Sequence, residues 1–294
     1  MNEFIMMVGL PRSGKSTKAT EYASKGYTVV SVLRAKKRLR EICDDTRKPY
    51  EVCEEMISDA ISRGENVVYD SDNLNARIRE RIISTIPSTY KKICIFVATP
   101  VEDCLSRSNK RDPEIHKKFV DRAMTMIDIP YYFEGWDEIR VELGRECGVT
   151  PDGLVNSLMG INQESKNHKM GLGEHCVGAY QYAKAHGFNP FVRYAALLHD
   201  VGKPETKGYL NKDGNEDGKA HYYNHQNVGA YKSLFLDYPE DMTIDDILHV
   251  CALIGYHMVP YTFGKRGRDR AKERFGEDFF NEIMSLHECD IRAR

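Results

Sequence analysis

Along the first half of the chain, short apolar runs alternate with stretches of helical spacing. Phe4–Val8, Thr28–Val32, Asn66–Tyr69 and Ile93–Ala98 read as buried strands. Strands that alternate with helices in this way predict a parallel sheet covered on both faces. A further stretch, Glu138–Leu143, is placed to close that sheet. Gly144 to Gly153 then carries Gly, Thr and Pro and reads as a connection. Beyond it strands vanish and helical periodicity takes over, with Lys207–Lys219, rich in Gly, Asp and Asn, read as a mobile loop. The boundary is placed near residue 148, giving domains 1–148 and 149–294. The expected architecture is an α/β domain built on a parallel sheet, followed by an all-α domain.

Composition changes this picture little. A chain of 294 residues is long enough for two separate cores. Its 41% hydrophobic and 29% charged residues are ordinary for a globular protein. A net charge of −2 exerts no global pull on a polyanion, so any nucleic-acid site must be a local basic patch. Eight cysteines without a C-x-x-C pair, and no signal peptide or long apolar span, lead us to expect reduced thiols, a cytoplasmic location and no membrane.

The first candidate chemistry directly follows the first strand. Gly9-Leu10-Pro11-Arg12-Ser13-Gly14-Lys15-Ser16-Thr17 fits G-x-x-x-x-G-K-[ST], with a helical stretch from Lys15. Strand, glycine-rich turn and helix N-terminus make a phosphate cradle, where backbone N–H groups and the helix dipole face the anion. Gly9, Arg12, Ser13, Gly14, Lys15, Ser16 and Thr17 are therefore the candidate ATP-binding residues. Lys15 bridges the terminal phosphates and the Ser16 hydroxyl sits on Mg²⁺. Asp70 ends another strand at the same sheet edge, where it serves either Mg²⁺ or a helix cap. Arg107 and Arg111, four apart in a basic cluster, read either as a lid that neutralises the migrating phosphoryl group or as a solvated face.

On the Gly9–Thr17 loop, the strand end Asp70-Ser71-Asp72-Asn73-Leu74-Asn75 and the Arg107…Arg111 lid, residues 1–148 resemble the phage-type polynucleotide kinase family of P-loop phosphotransferases. In that family an aspartate after the second strand accepts the proton of a 5′-hydroxyl, and a nearby arginine grips the acceptor's phosphate. Arg38 matches the gripping arginine, whereas Ala35 stands where the aspartate is expected. Asp44 or Asp45 would then supply the base, or the kinase is slow, or its acceptor differs. The run Arg34, Lys36, Lys37, Arg38 and Arg40 reads either as a grip on a nucleic-acid backbone or as an exposed helix face.

The second half carries His and Asp at telling places. His175 lies in one helical stretch, His199-Asp200 follows an apolar stem, His225 starts another helix, His257 follows the apolar run Val250–Gly255, and Asp290 sits in the last helix. Imidazole and carboxylate together suit borderline and hard divalent metals, and helical bundles build such centres from inward-facing side chains. This order, with Leu-Leu-His-Asp-Val-Gly-Lys at residues 197–203, resembles the HD-domain metal-dependent phosphohydrolases over residues 155–294, closest to those attached to tRNA nucleotidyltransferases and RNA end-healing proteins. The resemblance implies one metal on His175, His199, Asp200 and Asp290, and a second on Asp200, His225 and His257, the ions being Mn²⁺, Ni²⁺, Co²⁺ or similar. Such a two-metal centre activates water for in-line attack on phosphorus. Lys203 and Arg294, three and four residues beyond Asp200 and Asp290, are placed to stabilise the phosphate charge. His221 is read as an outer histidine or phosphate contact, and His168 as a structural hydrogen-bonding residue.

One half would add a phosphate and the other remove one. Healing of broken nucleic-acid ends, with RNA such as cleaved tRNA as substrate and an RNA ligase as partner, uses both. Two alternatives are a small-molecule or nucleoside kinase fused to a nucleotidase, and an ATP-sensing module that gates the hydrolase.

Overall fold

A computed structural model describes residues 1–107, 113–144, 148–164, 170–264 and 266–293. Arg111, His168 and Arg294 lie outside the described residues. The chain divides into two compact units, Met1–Ala123 with Pro130–Gly144, and Met124–Ile129 with Arg145–Arg294. The division falls after Gly144, and residues 124–129 pack with the second unit. The Asn227 amide holds them there, donating to Ile127 O at 2.9 Å and to Asp128 Oδ1 at 3.0 Å.

The spine of the first unit is β1 (Asn2–Val8), whose last five residues are shielded from water on both faces. An unbroken apolar run is what a central strand of a parallel sheet requires. The chain continues through α1 (Lys15–Ser24), β2 (Thr28–Ser31), α2 (Val32–Glu41), α3 (Pro49–Ser62), β3 (Val67–Asp70), α4 (Ala76–Thr85), β4 (Tyr90–Ala98), α5 (Val101–Ser106), α6 (Pro113–Met124) and β5 (Glu138–Leu143). The five strands lie in the order β2-β3-β1-β4-β5, all pairings parallel, with Phe4 opposite Val67 and Ile5 opposite Ile93. Ile5, Met7, Val29, Val68, Ile93 and Ile95 pack with Ala19 of α1 in one apolar layer. This order leaves the ends of β1 and β3 side by side, where ligands of open α/β sheets bind.

A wholly buried ion pair fixes that edge. The Arg79 guanidinium on α4 donates twice to Glu134, at 2.7 and 2.6 Å, and its remaining nitrogen donates to Asn73 O and Leu74 O, both at 2.8 Å. Trp136 Nε1 donates to the same carboxylate at 3.0 Å. Arg79 therefore clamps the turn after β3 to the body of the unit. Arg79→Met should cost about 3–5 kcal/mol, because it leaves the buried Glu134 charge without water or a countercharge. Adding Glu134→Gln should restore part of that loss, and urea unfolding of the single and double variants would measure both. A single variant as stable as the wild type would contradict this account.

The second unit is mainly helical: α7 (Pro151–Asn156), α8 (Leu172–Ala185), α9 (Pro190–Leu198), α10 (Lys203–Thr206), α11 (His225–Ser233), α12 (Ile244–Tyr256), α13 (Gly267–Phe275) and α14 (Glu277–Arg292). Helix α12 is apolar nearly all round, with Leu248 and Val250 to Ile254 buried, so it runs through the middle of the core. Thr243 and Asp246 cap its start reciprocally, each side chain bonding the other's backbone N–H. Asn189 caps α9, accepting from Val192 N at 2.9 Å, and Pro190 opens that helix where no donor is needed. The segment read as a mobile loop is instead an antiparallel hairpin, β6 (Gly208–Leu210) with β7 (Glu216–His221). Backbone pairing joins its strands, and its side chains are largely exposed. Among the described residues no helix is long and apolar enough to cross a membrane, and the cysteines are free thiols.

Candidate functional site

In the first unit the turn after β1 winds around the start of α1. Gly9 has φ of +152°, and a Cβ there would lie 2.5 Å from Val97 O, so only glycine lets the loop approach β4. Gly14, with φ of +114°, caps α1 in a conformation that side chains rarely adopt. The Lys15 ammonium is buried and donates to Gly9 O at 3.0 Å and Leu10 O at 2.7 Å, while Asp72 Oδ1 lies 2.8 Å away. A cavity of about 640 Å³ opens beside the loop, lined among others by Arg12, Ser13, Gly14, Lys15, Ser16, Thr17 and Arg107. Arg107 ends α5, and its guanidinium donates to Ser13 O at 2.9 Å and Arg12 O at 3.2 Å. Arg12 to Thr17 and Arg107 therefore line one cavity, with the Arg107 guanidinium held on the loop backbone.

Other residues of this half stand apart from that cavity. Asp70 ends β3 opposite Ser31, half-buried at the sheet edge, and does not line it. Arg38 is exposed on α2 and does not line it either. Arg34, Lys36, Lys37, Arg38 and Arg40 form the outer side of α2, with Ala35 and Leu39 buried beneath them. Ala35 is wholly buried, so a carboxylate at that position would lose its water. Asp44 accepts from Thr46 N at 3.0 Å and Thr46 Oγ1 at 2.7 Å, which makes it a turn residue. The acid closest to the P-loop lysine is Asp72, which the sequence does not single out. Asn73, with φ of +48° and its amide bonded to Met7 O at 2.8 Å, turns the chain so that Asp72 meets Lys15.

In the second unit the helix ends converge. His175 lies within α8, His199 and Asp200 directly follow α9, His225 opens α11, His257 ends α12 and Asp290 lies near the end of α14. All six are buried. Ligand atoms of His175, His199 and Asp290 lie within 4.8 Å of one another, as do those of Asp200, His225 and His257. Asp200 belongs to both groups: Oδ2 is 3.5 Å from His175 Nε2 and 3.3 Å from His199 Nε2, and Oδ1 is 3.2 Å from His225 Nε2. Asp290 Oδ1 is 3.2 Å from His175 Nε2, and Tyr261 Oη donates to its other oxygen at 2.6 Å.

The imidazoles are oriented for metal ligation. Nδ1 of His175, His199, His225 and His257 faces the carbonyl of Ala293, Ala196, Tyr222 and Ile254, at 3.2, 2.8, 2.7 and 2.7 Å. A carbonyl only accepts, so each Nδ1 carries a hydrogen and each ring turns its Nε2 inward, where a lone pair is available whenever the ring is neutral. Those lone pairs meet at 3.1 Å between His175 and His199 and at 3.3 Å between His225 and His257. Two lone pairs at that distance repel unless a proton or a metal ion takes one of them up, so the donor set fits divalent metal.

Protonation preferences agree with that fit. Burial alone would raise the Asp200 pKa, but His199 and Lys203 outweigh it and hold the carboxyl well below the usual range. Burial likewise opposes ionisation of Asp290, and the His175 hydrogen bond, His199 and Tyr261 overcome it. Burial, aided by His225 and His199, pushes His257 down to about 3, which keeps it a neutral ligand. Burial works against a charged His199, yet Asp200 and Asp290 raise its pKa, and the same negative field attracts a divalent cation.

Lys203, the first residue of α10, is buried with Nζ 2.6 Å from Asp200 Oδ2. His221 instead lies on β7, bonded to Asp217 at 2.9 Å and stacked on Tyr223, away from the cluster. Tyr261 and Gln163, whose side chain accepts from Lys203 at 2.7 Å, are further site residues that the sequence does not reveal.

Residues 4–126 match a family model described as an AAA domain, and residues 172–282 match a model of the HD domain. The chain thus joins an N-terminal α/β domain of the P-loop, kinase-like type to a helical HD phosphohydrolase domain. No match was found among curated proteins.

Proposed function

We propose that this protein heals the broken ends of RNA. The P-loop unit transfers the terminal phosphate of ATP to a 5′-hydroxyl, and the HD unit opens a 2′,3′-cyclic phosphate and removes the 3′-phosphate. The observation that carries this reading is the pair of three-residue ligand groups, with Asp200 of the second also facing the histidines of the first, a donor set suited to phosphoester hydrolysis, in one chain with a P-loop. Divalent ions such as Mn²⁺, Ni²⁺ or Co²⁺ would supply an activated water and neutralise phosphoryl charge there. His175, His199 and Asp290 would hold one ion, His225 and His257 the other, and Asp200 both. Lys203 would hold a phosphate oxygen beside Asp200.

In the P-loop unit, the loop N–H groups and Lys15 would bind the triphosphate, Ser16 the Mg²⁺, and Arg107 the migrating phosphoryl group. Arg38 and its basic neighbours on α2 would grip the RNA backbone. Since Ala35 offers no base and Asp44 is tied to Thr46, we assign proton acceptance from the 5′-hydroxyl to Asp72. The cleaved RNA, once healed, would pass to an RNA ligase in the cytoplasm.

The test uses a 5′-hydroxyl RNA oligonucleotide ending in a 2′,3′-cyclic phosphate. ATP with Mg²⁺ should label its 5′ end, and Mn²⁺ should release its terminal phosphate. Hydrolysis confined to mononucleotides would replace this reading with a nucleoside kinase fused to a nucleotidase. ATP binding without transfer would leave the P-loop unit as a regulator of the hydrolase.

A further inference from the structure

The amide of Gln163 is fixed in one orientation beside the His/Asp cluster. Its Oε1 accepts from Lys203 Nζ at 2.7 Å, and the same Nζ lies 2.6 Å from Asp200 Oδ2. An ammonium has donors only, so the atom facing it must be the amide oxygen, and Nε2 must face away. The backbone is held as well, because Tyr222 Oη donates to Gln163 O at 2.6 Å. The Tyr222 ring in turn lies 5.6 Å from the lysine ammonium. Gln163 is 2% exposed, and its Nε2 has no hydrogen-bond partner among the described residues. A buried N–H₂ left unpaired is costly unless something supplies an acceptor.

We propose that Gln163 is a substrate-binding residue of the HD unit, its Nε2 donating to a non-bridging oxygen of the phosphate that Lys203 also holds. This rests on the hydrolase reading above. The chemistry suits an oxyanion: the ammonium and the amide are joined through Gln163 Oε1 at 2.7 Å, and the groups left over, N–H on each side, are both donors. The amide adds no charge, so it binds the phosphate without opposing the cations that the neighbouring carboxylates attract. Anchoring by Lys203 and Tyr222 means that little freedom is lost when the phosphate arrives.

Two variants separate this role from mere support of Lys203. Gln163→Met removes both amide functions at similar volume. Gln163→Glu keeps the oxygen that Lys203 needs, replaces the N–H₂ donor with a second oxygen and adds a negative charge. The full chain is loaded with Mn²⁺, its metal content measured, and inorganic phosphate titrated by calorimetry; kcat and KM are then read on the cyclic-phosphate RNA. Both variants should keep wild-type metal content and bind phosphate roughly 10- to 100-fold more weakly, with KM rising in step. Gln163→Glu should be at least as poor as Gln163→Met. If Gln163→Glu binds phosphate as the wild type does, Gln163 only orients Lys203 and the proposal is overturned. Should Gln163→Met fail to fold, the Gln163→Glu comparison decides alone. Wild-type protein that takes up Mn²⁺ but binds no phosphate also overturns it, leaving the metal centre intact. Wild-type protein that takes up no metal overturns the hydrolase reading itself, and this proposal with it.

Discussion

Asp200→Asn is expected to empty the HD unit of metal and to lower phosphate release by more than about 10³-fold, because several kcal/mol of transition-state charge stabilisation depend on the ions. Asparagine has nearly the same shape, so the change isolates charge. The effect should exceed that of removing any one histidine, since the Asp200 carboxylate faces both ligand groups, through Oδ2 toward His175 and His199 and through Oδ1 toward His225. The variant also leaves the buried Lys203 ammonium without the carboxylate at 2.6 Å, adding a cost unrelated to metal. A thermal readout separates the two effects. Mn²⁺ at about a hundredfold over its dissociation constant should stabilise the wild type by about 2.7 kcal/mol and the variant hardly at all. Elemental analysis that finds wild-type metal in Asp200→Asn, with hydrolysis preserved, would remove the basis for a shared bridging carboxylate.

Much of this centre was legible in the sequence because its chemistry is tied to local pattern. The apolar stem before His199-Asp200 is the buried face of α9, and the helix ends where the ligands begin. The strands were legible for a similar reason, since both faces of a central parallel strand are buried and the apolar run is continuous. Phe4–Val8 and Ile93–Ala98 fall inside β1 and β4. The HD unit's hairpin was not, because its pairing leaves no apolar alternation to read. What escaped most completely were partners distant in sequence. Arg79 meets Glu134 across 55 positions, Tyr261 meets Asp290 across 29, and Lys203 meets Gln163 across 40. Arg79, Glu134, Tyr261 and Gln163 belong to no motif, and a lone Gln or Tyr ahead of a helix carries no signal of its own. Asp72 was hidden by backbone geometry, because the positive φ of Asn73 directs that turn back toward Lys15.

Lys15→Ala is expected to remove kinase activity, lowering 5′-end labelling by about 10³-fold or more, because the terminal phosphates lose the positive charge that follows them into the transition state. The loop itself should keep its shape. Thr99 Oγ1 donates to Ser13 O at 2.9 Å, Arg107 holds Ser13 O and Arg12 O, and Gly9 N bonds Asp72 O at 3.2 Å, none of which involves the lysine side chain. Loss of activity would thus arise from charge rather than collapse. The Lys15–Asp72 contact makes a second outcome measurable. Asp72→Asn keeps the lysine charge and so should spare ATP affinity; if Asp72 accepts the hydroxyl proton it should lower kcat by about 10²–10⁴-fold. Lys15→Ala should instead weaken ATP binding and turnover together. Equal effects of the two variants on both parameters would reduce Asp72 to an electrostatic neighbour of the lysine. Phosphate release from cyclic-phosphate RNA should be unchanged in both, since every residue assigned to that step lies in the other unit.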